Sequence, residues 1–315
     1  MQTSDFRLPV GDGVELFVHH WEPDRPPKAA LQIAHGMAEH AARYARLAAR
    51  LTGAGYAVYA GDHRGHGQTA RAPGDLGYLA DHDGFAVLTE DLFKLNRRIA
   101  SDHPGTPLFL LGHSLGSLLA QRYLFTRGDS VDGVVLSGTS SGSEWLARGG
   151  KAVAKVERLR LGPRGRSRLL QVLSFGDFNR RFKPIRTEFD WLSRDPREVD
   201  NYVADPLCGF DFTVQGWIDV LDGVIANNRA DNIARVPHTL PIYLFSGEQD
   251  PVGRNTAAVK ELANAYRRAG VSDVTERFYP GARHETLNEQ NRDEVEQDLL
   301  FWLDAVLARR PGPRA

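Results

Sequence analysis

Short apolar runs alternate with stretches of helical spacing through most of this chain, and that alternation is the strongest constraint on its fold. Ala29–Ala34 (AALQIA), Tyr56–Ala60 (YAVYA), Leu108–Leu111 (LFLL), Gly133–Leu136 (GVVL) and Ile242–Ser246 (IYLFS) read as buried strands. Between them, Tyr44–Thr52 sets Tyr44, Leu47, Ala48 and Leu51 on one helical face, and Phe85–Ile99 does the same with Phe85, Leu88, Leu92, Leu95 and Ile99. Strands apolar throughout and separated by helices are what a parallel sheet covered on both faces requires. Glu15–Trp21, after the turn Gly11-Asp12-Gly13, and Val274–Tyr279 add strands; Leu115–Phe125, Thr256–Ala269 and Asp293–Leu307 add helices.

The alternation breaks from about Ser140 to Ala234, where helical fragments rich in Arg and aromatics replace buried strands. The organisation read from this is a first part of an α/β core over 1–139, a helical cap or lid inserted over 140–234, a second part of the core over 235–308, and a frayed tail over 309–315. The cap is expected to close over one end of the sheet.

Composition removes several classes. The 315 residues are 42% hydrophobic and 25% charged, which argues against wholesale disorder. A net charge of −1 gives no general attraction to nucleic acid, so no nucleic-acid partner is expected. One cysteine, Cys208, excludes an internal disulfide and a multi-cysteine zinc site. The amino terminus shows no basic start followed by an apolar segment, and no apolar run reaches the roughly 18 residues of a membrane span. The expectation is a soluble cytoplasmic protein; no oligomeric state is implied.

Gly112-His113-Ser114-Leu115-Gly116 matches Gly-x-Ser-x-Gly and stands between a buried strand and a helix. A strand that turns abruptly into a helix strains the serine backbone, and Gly112 and Gly116 let the two elements approach without Cβ clashes. The bland alternative is a glycine-bounded turn with a passive serine. A serine nucleophile needs a base oriented by an acid, in the chain order Ser, Asp or Glu, His. Asp250, at the Asp-Pro turn after IYLFS, is the candidate acid, with Glu248 as competitor. His284, just beyond the Val274–Tyr279 strand, is the candidate base; His238 precedes IYLFS and has the wrong order. Backbone N–H groups of Leu115 and of Met37, in the loop after Ala29–Ala34, are the candidate oxyanion donors, each worth about 2.7–4 kcal/mol in a transition state.

These segments resemble the α/β-hydrolase superfamily, and more closely its monoacylglycerol lipase and lysophospholipase branch, also labelled serine aminopeptidase-like hydrolases. The residues carrying the resemblance are HGMAEHAARY from His35, GDHRGHGQT from Gly61, GHSLGS from Gly112, SGEQDPV from Ser246 and YPGARHETLNE from Tyr279. DWLSRDPREVDNYVADPLCGF from Asp190 is similar to the family's cap segment. The resemblance implies an α/β-hydrolase fold, a Ser114–Asp250–His284 triad, oxyanion donors at Met37 and Leu115, no cofactor, and a small acyl ester as substrate. The chain departs from the pattern at Ser117, where a second glycine is common; no effect on chemistry is expected.

His63 and His66 near Asp62 are a weak metal signal, and no metal is expected. Asp62 and Arg64 are read instead as loop braces beside the pocket, and Cys208 as a buried inert thiol. Leu169, Leu170, Val172, Leu173, Phe175, Phe178, Phe182, Phe189 and Trp191 are expected mostly to pack the cap on the core, some lining an apolar pocket above Ser114. Arg148–Arg168 holds eight basic residues against Glu157 alone. It reads either as a solvated helix face or as a peripheral contact with anionic lipid, worth about 1 kcal/mol per nearby basic side chain. The function expected is a serine carboxylester hydrolase acting on monoacylglycerol-like or short-to-medium acyl esters. Lysophospholipase, thioesterase, amidase or peptidase action on the same triad stays open, as does acyl transfer to another alcohol. A non-catalytic binding member of the fold is the alternative from another class.

Overall fold

The structure, a computed structural model, describes residues 1–309. Of the expected tail, only Arg309 is described: it follows the last helix and pairs with Asp273 at 2.8 Å. Residues 310–315 lie outside the described residues.

Eight strands form one sheet: β1 Gln2–Gly11, β2 Val14–Glu22, β3 Ala29–Ala34, β4 Tyr56–Gly61, β5 Leu108–His113, β6 Gly133–Ser137, β7 Ile242–Gly247 and β8 Val274–Tyr279. Their order is β1-β2-β4-β3-β5-β6-β7-β8. β1 and β2 form an antiparallel hairpin and β2 runs antiparallel to β4, while every remaining pair is parallel. β3 to β7 are buried at every position, as a sheet covered on both faces demands.

The helices are α1 Ala45–Gly53, α2 Gly84–Asp102, α3 Leu115–Arg127, α4 Glu144–Leu161, α5 Arg168–Phe175, α6 Pro196–Ala204, α7 Val214–Asn227, α8 Ala230–Ile233, α9 Ala257–Arg268 and α10 Arg292–Ala308. Alternate strand residues feed opposite layers. Leu110 of β5 packs with Leu119 of α3 and Leu262 of α9. Its neighbours Phe109 and Leu111 pack with Leu47 of α1 and Leu299 of α10 on the other face.

β1 is absent from the sequence expectation. Only Phe6, Leu8 and Val10 turn toward the core, the rest of the strand is largely exposed, and the register shifts between Pro9 and Gly11. A half-covered edge strand carries only a short period-2 signal.

Between β6 and β7 the chain forms α4–α8 and, among the described residues, no strand beyond a single bridge between Arg166 and Thr213. One of these helices is built into the core. Trp217 and Ile218 of α7 share a buried cluster with Leu88 of α2 and Leu119 of α3. A Cβ on Gly223 would collide with the Phe85 ring, so α7 lies directly on α2. The expectation for α5 needs correction. Leu170 is buried, but Leu169, Val172 and Leu173 face outward, because one helical stripe meets the core and the opposite stripe meets nothing.

Candidate active site

The turn from β5 into α3 is tight. Ser114 sits between them at φ 51° and ψ −116°, in the left-handed half of φ/ψ space, at a cost of roughly 1–3 kcal/mol. Four hydrogen bonds hold it there. Ser114 N–H donates to the Ser137 carbonyl at 3.0 Å, and the Ser114 carbonyl accepts from the N–H of Ser117 at 2.9 Å and of Leu118 at 3.1 Å. The Ser117 hydroxyl adds a fourth, to the same carbonyl, at 2.6 Å. The residue that departs from the family pattern thus contributes to the turn. Both elbow glycines are sterically required: a Cβ on Gly112 would strike the Gly116 carbonyl, and one on Gly116 would strike that of Ala34.

Asp250 follows β7 and is fully buried, whereas its competitor Glu248 is exposed. Asp250 Oδ1 accepts from His284 Nδ1–H at 3.0 Å and from Val252 N–H at 2.9 Å, and Oδ2 accepts from the Ser246 hydroxyl at 3.1 Å. Burial alone would raise this carboxyl, but the charge and hydrogen bond of His284 and these donors outweigh it and hold Asp250 below its usual range. Burial likewise pushes His284 down, but Asp250 foremost, then Glu285 and Glu39, push it up, and the net shift is upward. With Nδ1–H committed to Asp250, Nε2 keeps the free lone pair. His238, the other histidine weighed, is exposed beside Gly270.

Ser114 reaches the same place through its neighbours. The His113 ring lies 4.9 Å from that of His284. At Gly138, φ +55°, a Cβ would stand 3.0 Å from carbons of both rings, so only glycine fits between them. A Cβ on Gly36 would stand 3.3 Å from both His113 and Ser114 Cβ. No hydrogen bond joins Ser114 Oγ to His284 in this structure, and such contacts often tighten only with substrate bound. The N–H groups of Leu115, at the first position of α3, and of Met37 have no hydrogen-bond acceptor among the described residues.

A buried ion network, unforeseen in the sequence, frames this point. Arg43 donates two parallel bonds to Glu285, at 2.8 and 2.7 Å, and one to Glu39 at 2.6 Å. Glu39 also accepts from Gly36 N–H at 2.5 Å and from the Tyr44 hydroxyl at 3.0 Å. The loop carrying Met37 is thereby tied to the residue after His284. The insertion holds the histidine loop from the other side: His284 N–H donates to the Trp191 carbonyl at 3.3 Å and Glu285 N–H to that of Leu192 at 2.8 Å. The Trp191 ring lies 5.0 Å from His284, with Phe175 and Phe178 packed against it.

Asp62 accepts from Ala41 N–H at 2.8 Å and Gln68 N–H at 2.6 Å, and Arg64 pairs with buried Asp91 at 2.6 Å. Both brace loops. His63 bonds His35 through backbone and ring, and His66 donates to the Arg64 carbonyl. Burial pushes His63 down to about 4 and His66 down to about 3, so both are neutral parts of the scaffold. A groove of about 750 Å³ lies elsewhere, walled by Asp12, Arg64, Arg71 and Asp81, and none of the three candidate catalytic side chains lines it.

The family model described as Serine aminopeptidase, S33 (Hydrolase_4) matches residues 25–291. The chain belongs to this family. The monoacylglycerol lipase of Mycolicibacterium smegmatis is 32% identical to this hydrolase over 296 residues, 92% of this chain and 93% of that protein. The monoglyceride lipase of Homo sapiens is 33% identical over 300 residues, 93% and 88% of the two chains. Among solved structures, a highly thermostable carboxyl esterase from Bacillus coagulans in complex with glycerol matches with a TM-score of 0.90 at 29% identity, covering 98% of this chain and 99% of that one. This hydrolase therefore has the α/β-hydrolase fold, lies in the monoacylglycerol lipase-like branch, and is an enzyme of the carboxylic-ester class.

Proposed function

We propose that this hydrolase cleaves monoacylglycerol-like or short-to-medium acyl esters through an acyl-enzyme on Ser114. The observation that carries the reading is the buried Asp250–His284 pair beside the strained Ser114 elbow. His284 Nε2 takes the Ser114 proton as Oγ attacks the ester carbonyl, and Asp250 stabilises the imidazolium that forms. The N–H groups of Met37 and Leu115 receive the negative charge on the carbonyl oxygen. His284 then gives its proton to the departing alcohol oxygen. A water molecule, deprotonated by His284 in turn, releases the acid and restores Ser114. This chemistry needs no cofactor.

The aromatic wall of Trp191, Phe175 and Phe178 against His284 favours an acyl chain over a charged group. Residues 140–234 act in this reading as the cap, with Trp191 and Leu192 positioning the base from above. Two relatives named as monoacylglycerol or monoglyceride lipases, each matched over more than nine-tenths of this chain, support the glycerol ester. A chain with one cysteine suits a reducing compartment, and cytoplasmic residence is part of the proposal.

The outer face of the cap is read as a peripheral lipid contact. Trp145 is 74% exposed and Leu159 91%, alongside Leu146 and Val156 on α4 and Leu169, Val172 and Leu173 on α5. Of the basic residues, Arg148, Lys151, Arg160 and Arg164 already pair with acids, so the contact rests more on apolar surface than on charge. Among the described residues Lys155, Arg158 and Arg168 have no acidic partner.

The test is turnover of monoacylglycerol, lysophospholipid, p-nitrophenyl esters, acyl thioesters and aminoacyl anilides by the wild type, with the Ser114→Ala protein as blank. Esters are expected to turn over fastest and to fall to background in the blank. Faster anilide cleavage, or ester turnover that survives Ser114→Ala, overturns the reading.

A further inference from the structure

Three side chains that the proposed chemistry does not use meet at the seam between the loop after β3 and the insertion. His40 Nε2 lies 2.8 Å from Asp205 Oδ2, and the Cys208 thiol completes the group, all three ligand atoms lying within 4.8 Å of one another. Asp205 and Cys208 stand three residues apart, the spacing at which a tight turn presents two side chains to one metal ion. The turn is formed: Cys208 N–H donates to the Asp205 carbonyl at 3.0 Å. The carboxylate is also oriented, since Leu207 N–H takes Oδ1 at 2.8 Å and leaves Oδ2 toward His40. Metal-binding carboxylates are commonly fixed by such an outer hydrogen bond. All three residues are half-buried, within reach of solvent.

We propose that His40, Asp205 and Cys208 form a binding site for a divalent cation of the Zn²⁺ class, which clamps the insertion to the loop carrying Met37. An imidazole nitrogen, a carboxylate oxygen and a thiolate sulfur fill three of four tetrahedral positions, at bonds of about 2.0–2.3 Å. The sulfur selects against Mg²⁺ and Ca²⁺, which take oxygen ligands. Thiolate and carboxylate together balance the two positive charges, and the thiol proton leaves to solvent when the ion binds. The seam is already held by two bonds to the Ala38 carbonyl, from Gly209 N–H and the Tyr202 hydroxyl, each at 2.9 Å. A bound ion replaces the His40–Asp205 hydrogen bond, two residues further along the same loop, with coordination that also takes in Cys208, and so raises the stability of the closed seam.

A second cluster, His20, Glu22 and His103, also gathers three ligand atoms but has no sulfur, so a thiolate signature tells the two apart. The experiment titrates full-length protein with Co²⁺, follows absorbance, and then displaces Co²⁺ with Zn²⁺. The expected result is a sulfur-to-cobalt charge-transfer band saturating at one ion per chain, bleached by Zn²⁺, with a Zn²⁺-dependent rise in Tm. Cys208→Ser should abolish the band and the rise, and Asp205→Asn and His40→Asn should each weaken binding tenfold or more. Each variant is compared with its own metal-free Tm, which separates lost binding from lost folding. Absence of the band in the wild type overturns the proposal. So does a band unchanged in Asp205→Asn and His40→Asn, or a Zn²⁺-dependent rise that survives Cys208→Ser.

Discussion

At the scale of single residues, charge decides how the site responds to pH. In the proposed mechanism His284 works as a base only when neutral, and its raised pKa is expected to put half-maximal activity above the usual imidazole value of 6.5. The kcat/KM of a soluble ester should therefore rise along one acid limb centred above that value. His113 adds no second limb, because burial first and His284 second push it down to about 4. Glu285 contributes to raising His284, and negative charge beside an imidazolium favours the charged form. Glu285→Gln should move the acid limb to lower pH, read from the pH–rate profile; an unmoved limb means that Glu285 does not act on the base. Asp250→Asn should lower kcat by about 10⁴, since the amide cannot hold the working tautomer. Chain order and flanking strands alone singled out Asp250 and His284, which the structure sets 3.0 Å apart. Glu39, Arg43 and Glu285 were not legible, because the decisive contact spans 242 positions of the chain. The available hint was local: Glu39 and Arg43 stand four apart, and Glu285 adjoins the candidate base.

The elements themselves follow from what covers them. β3 to β7 could be read from sequence because burial on both faces leaves no polar alternation to interpret. β1 could not, because two half-buried side chains and one buried one among exposed neighbours resemble a loop. Periodicity marks which residues of a helix share a face but not whether anything lies against that face, which is why Leu173 turns out exposed and Trp217 buried. The β5–α3 junction is where sequence and geometry agree most tightly. Gly116→Ala must displace either α3 or the Ala34 carbonyl and should destabilise the protein by about 2 kcal/mol or more. Thermal unfolding measures this, and a Tm within a degree or so of wild type would show that the elbow is looser than its geometry implies.

Over the whole molecule, the exposed apolar faces of α4 and α5 lie on the part of the chain that also packs Trp191 against His284, so the surface proposed to meet lipid and the proposed catalytic centre share one insertion. Among the described residues no helix is long and apolar enough to cross a membrane. Replacing both Leu159 and Leu173 by Glu should lower partitioning onto phospholipid vesicles by about a hundredfold or more, since each Leu contributes about 1.5–3 kcal/mol when buried. Cleavage of a soluble ester should be unaffected, and equal sedimentation of variant and wild type with vesicles would remove this surface from the account. The account as a whole depends on Ser114 being a nucleophile activated by His284. Labelling with a fluorophosphonate, followed by peptide mass spectrometry, tests this most directly. The predicted result is one adduct, on the peptide containing Ser114, absent in Ser114→Ala and greatly slowed in His284→Ala. No adduct in the wild type, or an adduct that persists in Ser114→Ala, would contradict it.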